Sequence, residues 1–128
     1  MTTQSRGTGA AFSVQIKKAD APAIVAVTGE LDLLTAAQLK QVLAQVIDSA
    51  KTVILDLSGV TYMDSTGLGA LIGGLKRARE VGGDLKLAGL VPRVRKVFSI
   101  TKIENVFEIY ASVEQAILGD QTQGGIAS

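Results

Sequence analysis

The chain has 128 residues, of which 47% are hydrophobic and 20% are charged, and its formal net charge is +1. This composition predicts one globular domain with its own core, and the near-neutral charge argues against nucleic acid or a membrane surface as a partner. The chain contains no Cys and no His. Their absence excludes disulfides, thiolate metal sites, cysteine nucleophiles and the usual general base.

The first part of the chain is predicted to form a hairpin. Residues 1–11 are small and polar, and we expect them to be disordered. Apolar and polar side chains alternate over residues 12–17, which is typical of a half-exposed strand, and residues 24–27 are continuously apolar. A turn at 20–22 would pair these two strands.

The clearest helix is predicted over residues 35–49, where the apolar side chains fall on one face and Thr35 with Gln38 matches a capping box. A strand covered on both faces is predicted at 53–57. The rest of the chain is predicted to form a helix at 68–81 ended by two glycines, a strand near 84–88, a short helix begun by Pro92, a short strand at Phe107 and Ile109, a helix capped by Ser112 with Gln115, and a flexible tail at 119–128.

This order of elements, β-β-α-β-α-β-α-β-α, defines the expected fold class. It predicts a single layered α/β domain over residues 12–118, in which about four helices pack on a mixed, mostly parallel sheet of four to five strands. No apolar run approaches the roughly 20 residues that span a bilayer, and residues 1–11 lack the apolar core of a signal peptide. We therefore expect a cytoplasmic protein.

The segment 62–69, Tyr-Met-Asp-Ser-Thr-Gly-Leu-Gly, carries most of the functional information. It places the hydroxyls of Ser65 and Thr66 beside the carboxylate of Asp64, between a buried strand and a helix. Ligands and modifications gather at this edge of α/β sheets, and the N–H groups of a helix start accept anions. A hydroxyl there is a helix cap, a nucleophile or a phosphate acceptor.

Enzymatic interpretations of this segment lack a necessary residue. The nucleophile elbow G-x-S-x-G requires a glycine two residues before the serine, where Met63 stands, and no His is present to activate Ser65. The glycines at 67–73 are spaced one residue too widely for G-x-G-x-x-G, and Leu75 occupies the position of the P-loop lysine. We expect these glycines to allow close approach of a neighbouring helix or a partner.

Three carboxylates suggest a metal site as a further alternative. Asp32, Asp56 and Asp64 would bind magnesium if they converged at one edge of the sheet. We favour roles as strand-end and cap residues instead.

The segment 63–69 resembles the motif of the bacterial anti-sigma-factor antagonists, which consist of a single STAS domain. The likeness continues at 28–32 (Thr-Gly-Glu-Leu-Asp) with 35–36, in the strand at 53–57, and at 82–85 and 91–98. It spans roughly residues 12–118 in one register. It implies the STAS fold.

The resemblance also implies a partner switch without catalytic activity, cofactor or metal. In this family the serine after the motif aspartate, here Ser65, is phosphorylated by an anti-sigma factor that is a serine kinase of histidine-kinase-like ATPase type. The unphosphorylated antagonist binds that kinase and frees the sigma factor, and a phosphoserine phosphatase resets the modified form. Thr66 is the weaker acceptor. The expected partner surface comprises Asp32, Asp64, Ser65, Thr66, Gly67, Leu68 and Leu71.

Two other functions stay open at this point. One is a STAS protein-interaction subunit of a transporter or sensory complex, without obligatory phosphorylation. The other is an enzyme or nucleotide-binding protein of flavodoxin-like topology, which the missing His and the two failed glycine motifs disfavour. We expect a monomer, and the sequence leaves open whether the output is stress response, sporulation or another programme.

Overall fold

The structure of the chain, a computed structural model, describes residues 11–127, with side chains through residue 121. The prediction of disorder over residues 1–11 therefore lies almost wholly outside the described residues. The elements in chain order are β1 (Ser13–Lys18), β2 (Ala23–Leu31), α1 (Ala36–Ala50), β3 (Thr52–Met63), α2 (Ser65–Glu80), β4 (Asp84–Ala88), α3 (Pro92–Ile100), β5 (Ile109–Tyr110) and α4 (Val113–Ala127).

The predicted fold class is confirmed. The five strands form one sheet in the order β1-β2-β3-β4-β5. β1 and β2 are antiparallel, as a hairpin requires, and all the other neighbouring pairs are parallel. Among the described residues, no helix is long and apolar enough to cross a membrane.

Strands β2 and β3 extend well beyond the predicted bounds, which end at residues 27 and 57. They pair with each other as far as Leu31 opposite Met63, with two irregularities in register. β4 ends at Ala88 opposite Asp56, so residues 57–63 continue past it. Ser58 and Thr61 reach the surface in this part of β3, which β4 no longer covers, whereas Val60 is buried.

The sheet separates two cores of unequal size. Leu85 and Leu87 belong to the larger core, which α1, α2 and α3 share, whereas Lys86 between them points to the other face. The smaller core consists of Ile54 and Ala88 on the sheet and Ala116 on α4, with partly buried neighbours. One helix, α4, therefore packs on that second face within the described part of the chain.

Two details of the helix ends differ from expectation. The capping box at Thr35 is wrong, because α1 begins without a side-chain cap and the Thr35 hydroxyl bonds within the preceding turn. The terminal helix starts as predicted, with the Gln115 N–H donating to Ser112 Oγ at 3.2 Å. It continues to Ala127, so the predicted tail at 119–128 is helical through residue 127.

Candidate functional site

The motif lies where β3 ends and α2 begins, and Asp64 is the cap of that helix. Its Oδ1 accepts hydrogen bonds from the backbone N–H groups of Thr66 at 2.9 Å and Gly67 at 3.0 Å. Helix α2 therefore begins at Ser65, three residues earlier than predicted. Because the carboxylate satisfies the free N–H groups, the hydroxyls of Ser65 and Thr66 are not used as caps, and both residues are exposed.

Gly67 fits tightly against the turn between β2 and α1. A Cβ atom on Gly67 would lie 2.6 Å from the carbonyl oxygen of Leu31. That same oxygen accepts a hydrogen bond from the Asp64 N–H at 3.2 Å. The turn after β2 and the start of α2 are thus in direct contact, and Gly67 makes this contact possible.

The structure corrects part of the predicted partner surface. Leu71 is fully buried and Leu68 is 6% exposed, because both point from α2 into the larger core. Gly67 is buried as well. These three residues pack in the interior under the start of α2 and present almost no surface to a partner. Asp32, Asp64, Ser65 and Thr66 remain at or near the surface.

Asp32 organises the turn that leads into α1. Its Oδ1 accepts hydrogen bonds from the N–H groups of Leu34 at 3.0 Å and Thr35 at 3.2 Å. The Thr35 hydroxyl donates to the Glu30 carbonyl at 2.8 Å and accepts from the Asp32 N–H at 2.9 Å. These bonds hold the turn in one conformation, and Asp32 acts through them as a structural residue.

The same turn exposes two residues that the sequence analysis missed. Leu33 is 71% exposed and Leu34 is 86% exposed. The sequence offered one indication that they are exposed. Both leucines follow an acidic residue and precede the apolar face of α1, so neither belongs to the periodic pattern of a buried element.

The three carboxylates of the possible metal site do not converge. Asp56 lies inside β3, where it accepts the Ser58 N–H at 3.0 Å, whereas Asp64 follows the end of that strand. At about 3.3 Å per residue along the strand, the two are roughly 25 Å apart. Over the residues whose side chains are described, no group of three potential ligands is placed to hold a metal ion. The cap role is confirmed for Asp64, whereas the strand-end role is wrong for Asp56, because β3 continues to Met63.

A second cluster of charges lies at the other side of the sheet, around the buried Lys86. Its Nζ is 2.7 Å from Glu108 Oε1, 3.9 Å from Asp84 Oδ2 and 4.0 Å from Asp120 Oδ1 on α4. The Tyr110 hydroxyl donates to the same Glu108 oxygen at 2.6 Å. Burial, followed by this hydrogen bond and the nearby carboxylates, raises the pKa of Tyr110 to about 12. The cluster joins β4, β5 and α4.

Known proteins are similar to this chain in sequence. The STAS domain family matches residues 13–116. The anti-sigma-B factor antagonist of Bacillus subtilis is 32% identical over 106 residues, which cover 83% of this chain and 97% of that protein. The corresponding protein of Listeria monocytogenes is 39% identical over 101 residues, covering 77% and 88%. The chain therefore belongs to the STAS domain family and, within it, to the anti-sigma-factor antagonists, which are regulatory binding proteins and not enzymes.

A solved structure of the same class supports this assignment. The anti-sigma factor antagonist SpoIIAA in its unphosphorylated form superposes with a TM-score of 0.71 at 27% identity, covering 89% of this chain and 97% of that one. The Bacillus cell fate determinant SpoIIAA has also been solved in the phosphorylated form, which matches with a TM-score of 0.64 at 26% identity, covering 84% and 96%.

Proposed function

We propose that this protein is a phosphorylation-controlled antagonist of an anti-sigma factor. The unphosphorylated form binds the anti-sigma factor and releases the sigma factor, and phosphorylation of Ser65 ends the binding. The observation that carries this proposal is the exposed Ser65, which directly follows the capping Asp64 and has no cap role of its own. Relatives named as anti-sigma-B factor antagonists support it, as does the phosphorylated form of SpoIIAA.

The local chemistry explains why a phosphoryl group would act on the partner more than on the fold. It adds about −1.5 to −2 charges at neutral pH. The N–H groups of Thr66 and Gly67 already bind Asp64, and segments 19–39 and 61–75 contain no Lys or Arg. No cation from these segments therefore neutralises the new charge.

The proposed partner supplies the reason for release. An anti-sigma factor that is a serine kinase of histidine-kinase-like ATPase type must bring its ATP to the Ser65 hydroxyl. After transfer, the phosphoserine faces the anionic nucleotide, and the two repel each other. A coupling of about 1–3 kcal/mol, or roughly 5- to 150-fold in affinity, is enough for a switch.

The other elements of the proposal follow from the same role. A phosphoserine phosphatase restores the binding form, and the protein works as a monomer in the cytoplasm without cofactor or metal. The proposed contact surface contains Asp32, Asp64, Ser65 and Thr66, with Thr66 as a secondary acceptor. Gly67, Leu68 and Leu71 maintain its shape from the interior.

The test combines modification with binding. After incubation of the chain with ATP and the cognate kinase, mass spectrometry is expected to locate one phosphate on Ser65, and Thr66→Ala is expected to carry its phosphate on the same serine. Titration calorimetry is expected to show weaker binding of the kinase by Ser65→Asp than by Ser65→Ala. Equal affinities, or no phosphate on Ser65, would refute the proposal. Binding to a transporter subunit without phosphorylation would favour the alternative STAS role.

A further inference from the structure

The turn between β2 and α1 presents the most exposed apolar side chains of the described part of the chain. Leu34 is 86% exposed and Leu33 is 71% exposed, ahead of Ile100 at 68% and Leu118 at 61%. A single exposed leucine is ordinary, but two adjacent ones at a proposed functional edge form a small apolar patch. Apolar groups placed in this way gain stability when a partner covers them.

This patch is held rigidly. The carboxylate of Asp32 binds the N–H groups of Leu34 and Thr35, and the Thr35 hydroxyl bridges the Glu30 carbonyl and the Asp32 N–H. A partner that binds the leucines would not have to order the backbone first, so little conformational entropy is lost on association. Apolar side chains on a backbone held in this way suit an anchor of an interface.

The patch is also continuous with the Ser65 surface. The Leu31 carbonyl, at the start of the turn, accepts the Asp64 N–H at 3.2 Å and lies against Gly67 in the first turn of α2. The leucines and the acceptor serine therefore belong to adjoining segments in direct contact. A partner that reaches Ser65 meets the turn as well.

Charge defines the chemistry of that partner. Glu30, three residues before Leu33 in the chain, is exposed, and Asp32 is partly exposed. Segments 19–39 and 61–75 contain no Lys or Arg, so these segments present only negative charge. The complementary surface is an apolar cleft flanked by basic side chains on the side that faces Glu30 and Asp32.

We propose that Leu33 and Leu34 anchor the protein in an apolar cleft of the anti-sigma factor, next to Lys or Arg side chains that face Glu30. This inference rests on the proposed function and adds a division of labour to it. The leucines supply affinity in the binding-competent state, and the phosphate on Ser65 decides whether that state forms. The two roles belong to different residues and are therefore separable by mutation.

The test measures the affinity of full-length variants for the cognate kinase loaded with ADP, so that no phosphate is transferred. Leu33→Ala and Leu34→Ala are each expected to weaken binding by about tenfold or more, and the double variant by more than either. Leu118→Ala, at an exposed leucine on α4, is the matched control and is expected to bind within about twofold of the wild type. Glu30→Gln is expected to weaken binding at low salt and to reduce its salt dependence.

The outcomes separate this inference from the proposed function. If the double variant binds as tightly as Leu118→Ala while Ser65 is still phosphorylated, the anchor is refuted and the switch stands. If the wild type neither binds the kinase nor is phosphorylated, both are refuted. Sedimentation gives a further check on the oligomeric state. If the wild type is a dimer and the double variant is a monomer, a second copy of the chain covers the leucines, and the anchor is refuted. All variants should share one denaturation midpoint, because the substituted side chains are exposed.

Discussion

Two regions of the molecule use their carboxylates in opposite ways. The acceptor side is the turn after β2 together with the start of α2, and the lysine side is the cluster of charges around Lys86. At the acceptor side, Asp32 and Asp64 accept hydrogen bonds from backbone N–H groups that lie two or three residues further along the chain. At the lysine side, Glu108 and Asp120 approach the buried Lys86 from distant parts of the chain. The first arrangement shapes the local backbone and leaves negative charge at the surface. The second neutralises a buried cation.

The two regions therefore differ in role: one displays side chains at the surface, and the other holds elements of the fold together. The acceptor side is shaped by short-range hydrogen bonds to the carboxylates of Asp32 and Asp64 and is joined by the bond from the Asp64 N–H to the Leu31 carbonyl. It displays Leu33, Leu34 and Ser65 at the surface. The lysine side connects β4, β5 and α4 through Lys86, whose side chain is 2% exposed, and through carboxylates that are 21–33% exposed. A cap is worth about 0.5–2 kcal/mol, whereas breaking a buried ion pair costs about 3–5 kcal/mol. We therefore expect stability to be most sensitive at the lysine side.

The largest expected effect is that of Lys86→Met. Removing the ammonium group leaves Glu108 and its neighbours without their buried cation, and we expect a loss of about 3 kcal/mol in the free energy of unfolding, measured by urea denaturation. Lys76→Met on the exposed face of α2 is the control, with a change within about 0.5 kcal/mol. The double variant Lys86→Met with Glu108→Gln should recover part of the loss. If Lys86→Met were as stable as Lys76→Met, the lysine side would not be the region where stability is most sensitive.

A pair of glycine substitutions tests the acceptor side. Gly67→Ala places a methyl group 2.6 Å from the Leu31 carbonyl oxygen, and we expect it to destabilise the protein by about 1–3 kcal/mol. Gly69→Ala lies one half-turn further along the same helix with no atom within 4 Å of the new Cβ. It should raise stability by up to about 1 kcal/mol, because alanine favours the helix. Similar unfolding midpoints of the two variants would contradict the close contact between Gly67 and the Leu31 carbonyl.

The smallest expected effect is a pH dependence from Tyr110. In Tyr62→Phe, which retains Tyr110 as the sole tyrosine, the ultraviolet absorbance of tyrosinate should appear with a midpoint near pH 12. The folded pKa lies above the ordinary value of 10.0, so the associated stability is complete below pH 10 and is lost as the pH rises towards 12. Tyr110→Phe should lack this component. A midpoint at pH 10 would contradict both the burial of Tyr110 and its hydrogen bond to Glu108.

Much of the fold was predictable because its signals are local. The alternation over 12–17 and the apolar face of the first helix report burial through periodicity, and the strand after that helix reports burial on both faces through its continuous apolar run. The position of the motif at a strand-to-helix junction followed from the same pattern. The strand ends did not, since the pairing of Leu31 with Met63 depends on a partner strand more than twenty residues away in the sequence.

The sequence by itself determined the order of the elements, the mostly parallel sheet and the place of Ser65 beside Asp64. Only the tertiary structure decided which side chains reach the surface there. Leu71 appears available in the motif but is buried, whereas Leu34 lies outside it and is exposed. Lys86 alternates with two core leucines and indicates a solvent-facing position in the sequence, but α4 covers that face of the sheet. The periodicity of a sequence shows which side chains share a face of a helix or strand. It does not show which other element packs on that face, and this packing decides which side chains are exposed.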